Sequence, residues 1–447
     1  MKHINPATEE VTVIEETKLR EIPKIVKSAK ESQKIWAKSD LKERIEAIKP
    51  LIRIMEHNKE RIARTITRDM GKPLRQSHRE VERSLAHIKF FLDKAPKFLR
   101  PNKYSRKEYV VYDSLGIIAV ISPWNYPLAT PIISIIPALL TGNSVILKQS
   151  EYSPRVGQLL EEFFFELVKV PEGVFSLVTG GKKHGKKLVN QDIDLVSFTG
   201  STATGKMIMK DSSNNLHKLI FELGGLDAAI VLKDADIPAA AKEIVGMNAL
   251  NTGQVCCAIK RVFVARDIYD QFVKYAVEES KKIKFGDPTT DTDMGPLVSE
   301  EQLIKVESFV EDAVKKGAKV ENGGKRPEDM SGYFYPHTIL TGVNDKMKLM
   351  HEEPFGPVLP IAAFDKWPEA VKKANDTVYG LTGSVWTANI KLGEKISRLL
   401  DVGVAGVNMH AAGSLGTPWG GTKQSGFGRL ESKEGLLAFT NPKLITK

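Results

Sequence analysis

The chain has 447 residues, 42% of them apolar and 27% charged, a balance typical of an ordinary soluble globular protein with two domains. Its formal net charge of +10 raises the question of nucleic-acid binding. The lysines and arginines, however, are interleaved with glutamates along helical patterns and form no tract with aromatic residues. We therefore expect a basic, solvated surface and no nucleic-acid partner.

The most apolar region, residues 115–147, is interrupted by prolines and polar residues, so it predicts buried strand and helix and no membrane association. The N-terminal residues lack the apolar core of a signal peptide. With 2 cysteines and no export signal, we expect a cytoplasmic protein. In that reducing compartment, thiols perform chemistry more often than they form disulfides.

The N-terminal part of the chain begins with short extended segments over residues 5–15 and continues as successive amphipathic helices over residues 18–99. Asp40 and Glu43 have the spacing of a helix capping box. Apolar residues at helical spacing then predict one helix face formed by Leu41, Ile45, Ile48, Ile52 and Met55. Residues 98–114 are rich in tyrosine and valine and favour strands.

From Gly116 onwards, strand patterns alternate with helix patterns. A strand at 117–121 leads to a loop with Trp124 and Asn125, a helix is expected near 131–141, and a strand at 144–147 is followed by Lys148. Further strands are predicted at 174–178, 195–198, 218–221, 228–232 and 261–265, with helices near 268–283 and 300–315. This alternation predicts two α/β domains that bind ligands at the carboxyl ends of parallel strands.

Both cysteines lie in the stretch 251–258, which follows an apolar, helix-like run over residues 237–250. Glycine and polar residues surround Cys256, as a nucleophile requires if nearby backbone N–H groups are to stabilise negative charge. A buried, inert pair of cysteines is the alternative. The upstream segment Phe221–Gly225, with Glu222 as a possible base, favours the nucleophile.

Two glycine-containing segments approach the pattern of a phosphate-binding loop. The first contains Gly200, Ser201 and Gly205, but Met207 stands where such a loop needs Ser or Thr to hold magnesium. The second, residues 180–187, fails in the same way at Lys187. The first segment still predicts a turn between a strand and a helix, whose N–H groups and serine hydroxyl could bind phosphate. A plain tight turn is equally consistent with it.

Seven motifs along the chain resemble those of the aldehyde dehydrogenase superfamily, in the family's order. They are residues 123–125 (PWN), 148–151 (KQSE), 198–201 (FTGS), 222–225 (ELGG), 253–256 (GQVC), 353–357 (EPFGP) and 418–429 (PWGGTKQSGFGR). The resemblance implies two Rossmann-type α/β domains and a small β oligomerisation element. The cofactor-binding domain would comprise residues 1–97 and 115–222, and the catalytic domain residues 223–429. Residues 98–114 and 430–447 would join subunits into a homodimer or homotetramer.

Aldehyde oxidation explains why these residue types occur together. A thiolate at Cys256 would add to the carbonyl carbon, and the oxyanion would be held by the Asn125 amide and the Cys256 N–H. After loss of hydride to NAD(P), a thioester remains, and Glu222 would activate water to release the free carboxylic acid. The superfamily members that acylate coenzyme A generally lack this glutamate. Cys257 is expected to be a packing residue.

The cofactor residues are implied by the same resemblance. Lys148 and Glu151 would meet the adenosine ribose, and a carboxylate at Glu151 favours NAD, with NADP possible. Lys182 and Lys183, expected in a glycine-rich loop, would offset that preference unless they face solvent. The remaining expected cofactor contacts are Trp124, Gly200, Ser201, Gly205, Gly224, Glu353 and Phe355, and no metal site is expected.

The sequence constrains the identity of the aldehyde less than it constrains the reaction and the cofactor. The stretch 253–261 is similar to that of compact succinate-semialdehyde dehydrogenases, but Ile133 and Leu250 occupy positions where those enzymes commonly carry a carboxylate-binding arginine. A neutral aliphatic, hydroxylated or aromatic aldehyde is therefore favoured, and succinate semialdehyde is the alternative. The loop residues Met409, His410, Ala411 and Ser414 add no fixed positive charge, and His410 is expected to face solvent.

Two hypotheses from other functional classes remain. A nucleotide-binding kinase could use the two glycine-containing segments, but both lack the magnesium hydroxyl, and neither explains Cys256 or Glu222. A catalytically silent relative with a structural role is the other reading. The combination of Asn125, Glu222 and Cys256 argues against it.

Overall fold

A computed structural model describes residues 1–167, 169–411 and 413–447. The chain begins with an antiparallel hairpin and five helices, in agreement with the extended and helical segments predicted there. These elements are β1 (Lys2–Ile4), β2 (Val11–Val13), α1 (Ile22–Trp36), α2 (Leu41–Ile48), α3 (Pro50–His57), α4 (Lys59–Met70) and α5 (Leu74–Phe98). The predicted continuous helix face from Leu41 to Met55 is wrong, because Pro50 has no N–H to continue α2 and instead begins α3.

The capping box at the start of α2 is confirmed. The Asp40 side chain accepts a hydrogen bond from the Glu43 N–H at 2.8 Å, and the Glu43 carboxylate accepts one from the Asp40 N–H at 2.8 Å. The predicted strand region around 98–114 contains β3 (Asn102–Lys103) and β4 (Glu108–Ser114).

A first sheet follows, in which strands and helices alternate. Its elements are β5 (Ile117–Ile121), α6 (Ala129–Leu140), β6 (Ser144–Lys148), α7 (Pro154–Phe165), β7 (Phe175–Val178), α8 (Lys182–Val189), β8 (Leu195–Thr199), α9 (Thr202–Ser212) and β9 (Lys218–Glu222). These strands are parallel and lie in the order β9-β8-β5-β6-β7. The order reverses between β5 and β8, which is where an open α/β sheet forms a ligand crevice.

A second sheet contains the nucleophile segment. Its elements are β10 (Asp227–Val231), α10 (Ile237–Ala249), β11 (Ile259–Ala265), α11 (Tyr269–Lys282), α12 (Glu300–Lys315), β12 (Lys319–Asn322), β13 (Thr338–Thr341), β14 (Val358–Phe364), α13 (Trp367–Asn375), β15 (Thr382–Trp386), α14 (Ile390–Ser397) and β16 (Val404–Val407). The strand order is β12-β13-β14-β11-β10-β15-β16, and only β12 pairs antiparallel with its neighbour. The prediction of two α/β units with parallel sheets is thus confirmed.

The C-terminal segment returns to the earlier parts of the chain. It contains β17 (Gly426–Phe427), α15 (Lys433–Leu437) and β18 (Thr440–Thr446). β17 pairs antiparallel with β9 at the edge of the first sheet, although these residues fall in the range expected for the catalytic domain. β18 pairs along the whole of β4 and, with β3, forms a third sheet of order β18-β4-β3.

Apolar side chains on both faces of each large sheet form the cores. The apolar region predicted to be buried contains β5, α6 and β6, in which nearly every residue is buried. None of the helices in the described parts of the chain combines the length and the apolar character that crossing a bilayer requires.

Candidate active site

A cavity of about 210 Å³ lies where the loops after β5, β8 and β9 meet the segment before β11. It brings together nine of the predicted site residues, which come from five separate parts of the chain: Trp124, Asn125, Gly200, Ser201, Glu222, Gly224, Cys256, Glu353 and Phe355. Lys148, Glu151 and Gly205 do not line it. The three residues predicted to carry the chemistry therefore share one cavity.

The nucleophile segment is held in an unusual backbone conformation. After α10 ends, Asn251 and Thr252 have φ values of 50° and 59°, in the left-handed region that costs energy for residues with a β-carbon. Gly253 also has a positive φ, and a β-carbon there would lie 2.2 Å from the Gly356 carbonyl carbon. Only glycine fits this approach.

The side chain of Gln254 keeps this segment in place. It is fully buried, donates to the Asn251 carbonyl at 3.1 Å and accepts from the Val298 N–H at 2.8 Å. The motif Gly253-Gln254 therefore has a structural explanation, because the glycine permits the close approach and the glutamine fixes it. The loop presents Cys256 rigidly to the cavity.

The environment of Cys256 favours the protonated form of its thiol. The neighbouring Cys257 thiol, burial and the carboxylate of Glu222 all raise the pKa of Cys256 well above the ordinary value for a thiol. The two cysteines form no disulfide. The surroundings of Cys256, Glu222 among them, therefore oppose ionisation of its thiol.

Glu222 is the last residue of β9, and it is buried rather than solvated. Its Oε1 has no hydrogen-bond partner among the described residues. Burial raises the pKa of Glu222 to about 7, while contacts with the Cys256 and Trp419 side chains oppose that increase. A carboxyl group with such a pKa can both take up and release a proton near neutrality.

The two glycines after Glu222 allow its loop to approach the nucleophile. A β-carbon on Gly225 would lie 2.7 Å from the Cys256 carbonyl oxygen, and one on Gly224 would lie 2.5 Å from Glu353 Oε2. From the other side, the Ser425 hydroxyl donates to the Gly224 carbonyl at 2.6 Å. The Glu222 loop is therefore packed between the C-terminal segment and the nucleophile loop.

Asn125 is buried in the loop after β5, with its side chain fixed at one end. Its amide nitrogen donates to the Gln254 carbonyl at 2.9 Å, and the Asn251 amide donates to the Asn125 carbonyl at 3.2 Å. Because a primary amide has two N–H groups, a second donor remains for a ligand in the cavity. This geometry suits an oxyanion donor.

Aromatic side chains form another part of the cavity wall. Trp124 meets Phe355 edge-on, with ring centroids 5.5 Å apart at an angle of 89°. Phe355 has a φ of 54°, and Gln302 of α12 fixes that conformation by donating to the Pro354 and Phe355 carbonyls at 2.9 Å each. Strained residues of this kind cluster at ligand-binding sites.

The predicted adenosine contacts lie at the carboxyl end of β6. Lys148 donates to Glu151 Oε2 at 3.2 Å, and burial lowers the pKa of Lys148 while Glu151 opposes the change. A β-carbon on Gly181, just before α8, would lie 3.7 Å from Glu151 Oε1. Lys182 and Lys183 begin α8, so the expected loop is in fact the first turn of a helix, and both residues are exposed.

The turn between β8 and α9 is confirmed as a strand-to-helix connection. Ser201 caps α9 by accepting from the Thr204 N–H at 3.3 Å, and it lines the cavity together with Gly200. Gly205 has another role, because a β-carbon there would lie 2.9 Å from the Leu223 side chain. Gly205 therefore allows α9 to pack against Leu223, and its contact with the cofactor stays a prediction.

The expectation for His410 is wrong, because this residue is buried rather than solvated. Its ring nitrogens lie 3.0 Å from the Thr382 hydroxyl, the Ser384 hydroxyl and the Cys257 carbonyl. Burial lowers the pKa of His410 to about 3, so it stays neutral. Ile133 is buried in α6, and neither Ile133 nor Leu250 lines the cavity.

Several residues of the site were not found from the sequence. Tyr126, Gln302 and Lys305 line the cavity, and Lys260 lies directly behind Cys256. Gln302 and Lys305 lie on one exposed turn of α12. Nothing in the sequence pattern indicates that this turn contacts the loop at Glu353. The strand position of Lys260, next to the nucleophile motif, was the one available signal.

A model of the aldehyde dehydrogenase family matches residues 1–445. Betaine aldehyde dehydrogenase of Bacillus subtilis (strain 168) is 36% identical, covering 99% of this chain and 93% of that relative. The NADP(+) succinate-semialdehyde dehydrogenase of Deinococcus radiodurans is 34% identical over 99% of this chain and 94% of its own. The crystal structure of lactaldehyde dehydrogenase from Escherichia coli superimposes with a TM-score of 0.96 at 34% identity, covering 100% and 95% of the two chains.

Proposed function

The chain belongs to the aldehyde dehydrogenase family and is an NAD(P)-dependent aldehyde dehydrogenase, and we propose that it works through three residues. Cys256 is the nucleophile, Glu222 the general base and Asn125 an oxyanion donor. The observation that supports this assignment is the cavity that all three line.

The first step is activation of the thiol. Cys256 loses its thiol proton to solvent, and Glu222, with its pKa of about 7, remains the base for the later hydrolysis. The sulfur then forms a bond to the aldehyde carbon, and the carbonyl electron pair moves onto oxygen. The Asn125 amide and the Cys256 N–H donate to that oxyanion.

The walls of the cavity fit a dinucleotide. The first turn of α9 offers backbone N–H groups to a phosphate, Glu353 offers a carboxylate to a ribose, and Trp124 and Phe355 offer apolar faces to a ring. Oxidation of the adduct by removal of hydride from its carbon is the chemistry that NAD(P) supplies when bound. Glu151 beside Lys148 favours NAD, because a carboxylate there repels a 2′-phosphate.

The final step is hydrolysis of the thioester. Glu222 takes a proton from a water molecule, whose oxygen forms a bond to the acyl carbon. The carbon–sulfur bond then breaks, and Cys256 leaves as a thiolate. The acid is released free, and the thiolate is available for the next aldehyde.

We infer that the preferred aldehyde is neutral: aliphatic, hydroxylated or aromatic. The relatives do not decide this point, because their names include a cationic, an anionic and a hydroxylated aldehyde. The apolar residues Ile133 and Leu250 support the inference. A buried carboxylate without a cation would carry a desolvation cost of several kcal/mol, roughly.

One observation favours the alternative, succinate semialdehyde. Arg83 on α5 pairs with Glu431 at 3.2 Å, and its side chain is 58% exposed. Burial lowers the pKa of Arg83, but Glu431, Cys257 and Tyr126 together raise it above the ordinary value. The positive charge of Arg83 therefore interacts with groups at the nucleophile loop. This arginine comes from an element that the sequence did not connect with the site.

The assignment of roles is tested by absorbance at 340 nm with NAD or NADP and a panel of small aldehydes. Cys256→Ser is expected to abolish formation of reduced cofactor, whereas Cys257→Ala retains most of it. The two cysteines are neighbours, so each variant is the control for the other. The opposite ranking would contradict the assignment.

The substrate is tested by comparing kcat/KM for succinate semialdehyde, butyraldehyde and glyceraldehyde. We expect the neutral aldehydes to be better substrates, because Ile133 and Leu250 occupy the two positions where succinate-semialdehyde dehydrogenases commonly carry a carboxylate-binding arginine. A clear preference for succinate semialdehyde that Arg83→Met removes, with butyraldehyde unaffected, would instead establish the alternative and assign the carboxylate to Arg83.

Subcellular location, assembly and domain limits complete the proposal. We infer a cytoplasmic protein, on the basis of its few cysteines. We also infer a homodimer or homotetramer joined through the sheet that β4 and β18 share. We also propose the division into residues 1–97 with 115–222, 223–429, and 98–114 with 430–447, which the first, second and third sheets support apart from the exchange at β17.

A further inference from the structure

Lys260 is a buried cation directly behind the nucleophile. It lies in β11, and its side chain is 1% exposed. Its Nζ lies 3.0 Å from the Val255 carbonyl oxygen, 2.5 Å from that of Cys256 and 3.4 Å from that of Ala258. The ammonium group therefore brings three carbonyl groups of the nucleophile loop together around one point.

The same ammonium group reaches the cofactor side of the cavity. Lys260 Nζ lies 3.2 Å from Glu353 Oε1, and the Gly225 N–H donates to that same oxygen at 3.2 Å. Because both contacts use Oε1, Glu353 Oε2 remains for a ligand. Lys260 thus sets the orientation of a carboxylate that lines the cavity.

Keeping a charge at this position is costly, since burial lowers the pKa of Lys260. Glu353, Asp227 and the two cysteines reverse that effect and raise the pKa of Lys260 above its ordinary value. Lysines are almost never fully buried unless they are paired. Here the anionic partners are Glu353 and Asp227, and Glu353 lines the active-site cavity.

We infer that Lys260 is a positioning residue that fixes the Cys256 loop and Glu353 relative to each other and whose charge favours the ionised form of the Cys256 sulfur. The inference rests on the proposed function, because it takes Cys256 as nucleophile and Glu353 as a cofactor contact. It goes beyond that proposal by assigning the positioning of both Cys256 and Glu353 to one cation. A purely structural lysine would support folding only.

The neighbouring Arg261 is a matched control. It is equally buried, and it donates only to backbone carbonyls, those of Leu226, Met350, Lys373 and Ala374. Loss of either cation is expected to lower the temperature of unfolding. Only loss of Lys260 is expected to change the thiol and the cofactor site.

The experiment compares the wild type with Lys260→Met, Lys260→Arg and Arg261→Met. The rate of Cys256 alkylation by iodoacetamide is measured against pH, which needs neither cofactor nor turnover, with Cys257→Ala as the background. We expect Lys260→Met to move the alkylation midpoint upward by about 1–3 pH units, because an opposite charge nearby favours the thiolate. Lys260→Arg, which keeps the charge, should restore much of the wild-type profile.

The second readout is steady-state kinetics. Lys260→Met should raise the KM for NAD and lower kcat by about 100-fold, the effect expected when reacting groups are misplaced by about 1 Å. If Lys260→Met changes only the unfolding temperature, as Arg261→Met does, the inference is overturned. If Lys260→Met does not fold, an unshifted alkylation profile in a folded Lys260→Gln, which has no charge, overturns it equally. If the wild type does not oxidise aldehydes but Lys260→Met still shifts the alkylation midpoint, the result contradicts the proposed function and leaves the inference about Lys260 standing.

Discussion

At the scale of single residues, the environment of Glu222 determines its chemistry. Its pKa is raised chiefly by burial, with Glu353 and Asp227 adding repulsion, and it reaches about 7. Glu353, in contrast, forms an ion pair with Lys260, in which Glu353 Oε1 lies 3.2 Å from Lys260 Nζ. Two carboxylates in one cavity are thereby suited to different tasks, one to proton transfer and one to holding a ligand.

We predict that Glu222→Gln gives a burst of reduced cofactor in the first turnover and then a steady rate lower by about 10²–10⁴-fold, the usual contribution of a general base. Hydrolysis of the thioester stalls because glutamine cannot accept the water proton. Stopped-flow absorbance at 340 nm measures both phases. Loss of the burst in a variant that still binds aldehyde and cofactor would mean that Glu222 acts before the thioester forms.

The pH dependence of stability follows from the same raised pKa. Because the pKa of Glu222 in the folded protein is about 7, against an ordinary value of 4.5, folding takes up a proton between these pH values, and stability falls as pH rises through them. We predict that Glu222→Gln raises the free energy of unfolding by up to about 3 kcal/mol at pH 8, and by much less near pH 4. Urea unfolding at the two pH values tests this, and an equal change at both would contradict it.

At the scale of elements, the site is built from loops at strand ends that glycine allows to touch. Gly225 is the sharpest case, because a β-carbon there would lie 2.7 Å from the Cys256 carbonyl and 2.8 Å from Asp227 Oδ1. Gly246 in α10 has nothing within 4 Å of the same position. The same substitution to alanine therefore meets crowded surroundings at Gly225 and open space at Gly246, which makes the two glycines a matched pair.

We predict that Gly225→Ala destabilises the protein by about 1–3 kcal/mol through overpacking and lowers kcat by displacing the nucleophile loop. Gly246→Ala should leave kcat unchanged and stabilise α10 by about 0.4–1 kcal/mol. Chemical unfolding and steady-state kinetics on both variants measure these effects. Equal kinetics for the two variants would show that the approach to Cys256 does not control the reaction.

The elements also show what sequence patterns can predict. The helix expected near 300–315 and the apolar run at 237–250 match α12 and α10 closely, because each begins at a clear N-cap, Ser299 and Asp236 respectively. Pro50 was missed as a helix boundary because apolar spacing alone continues across it. Periodicity reports which face is buried, whereas proline decides where a helix begins.

At the scale of the whole molecule, the motifs predicted which loops form the site, but not the groups that arrive from elsewhere. Lys260 was adjacent to the nucleophile in sequence, yet its contact with Glu353 depends on the packing of β11 against the loop before β14. His410 became buried because its loop folds back against β15 and the Cys257 carbonyl. Such contacts join segments far apart in the chain, and no local pattern encodes them.

Assembly is the last property that depends on the whole fold. β18 is an edge strand of the third sheet, and such an edge presents unpaired backbone groups to another chain. Leu444 on this strand is 57% exposed, whereas Ile35 on α1, 64% exposed, lies on a different element. An apolar side chain on an exposed edge is a candidate contact between subunits.

We predict that Leu444→Glu lowers the mass measured by sedimentation velocity toward that of a single chain, because association would bury its charge without a partner. Ile35→Glu, a matched change on a helix away from the edge, should leave the mass unchanged. Circular dichroism checks that both variants fold. The active-site cavity is formed within one chain, so aldehyde oxidation should persist in a dissociated Leu444→Glu variant. If Leu444→Glu sediments like the wild type, the edge at β18 does not join subunits.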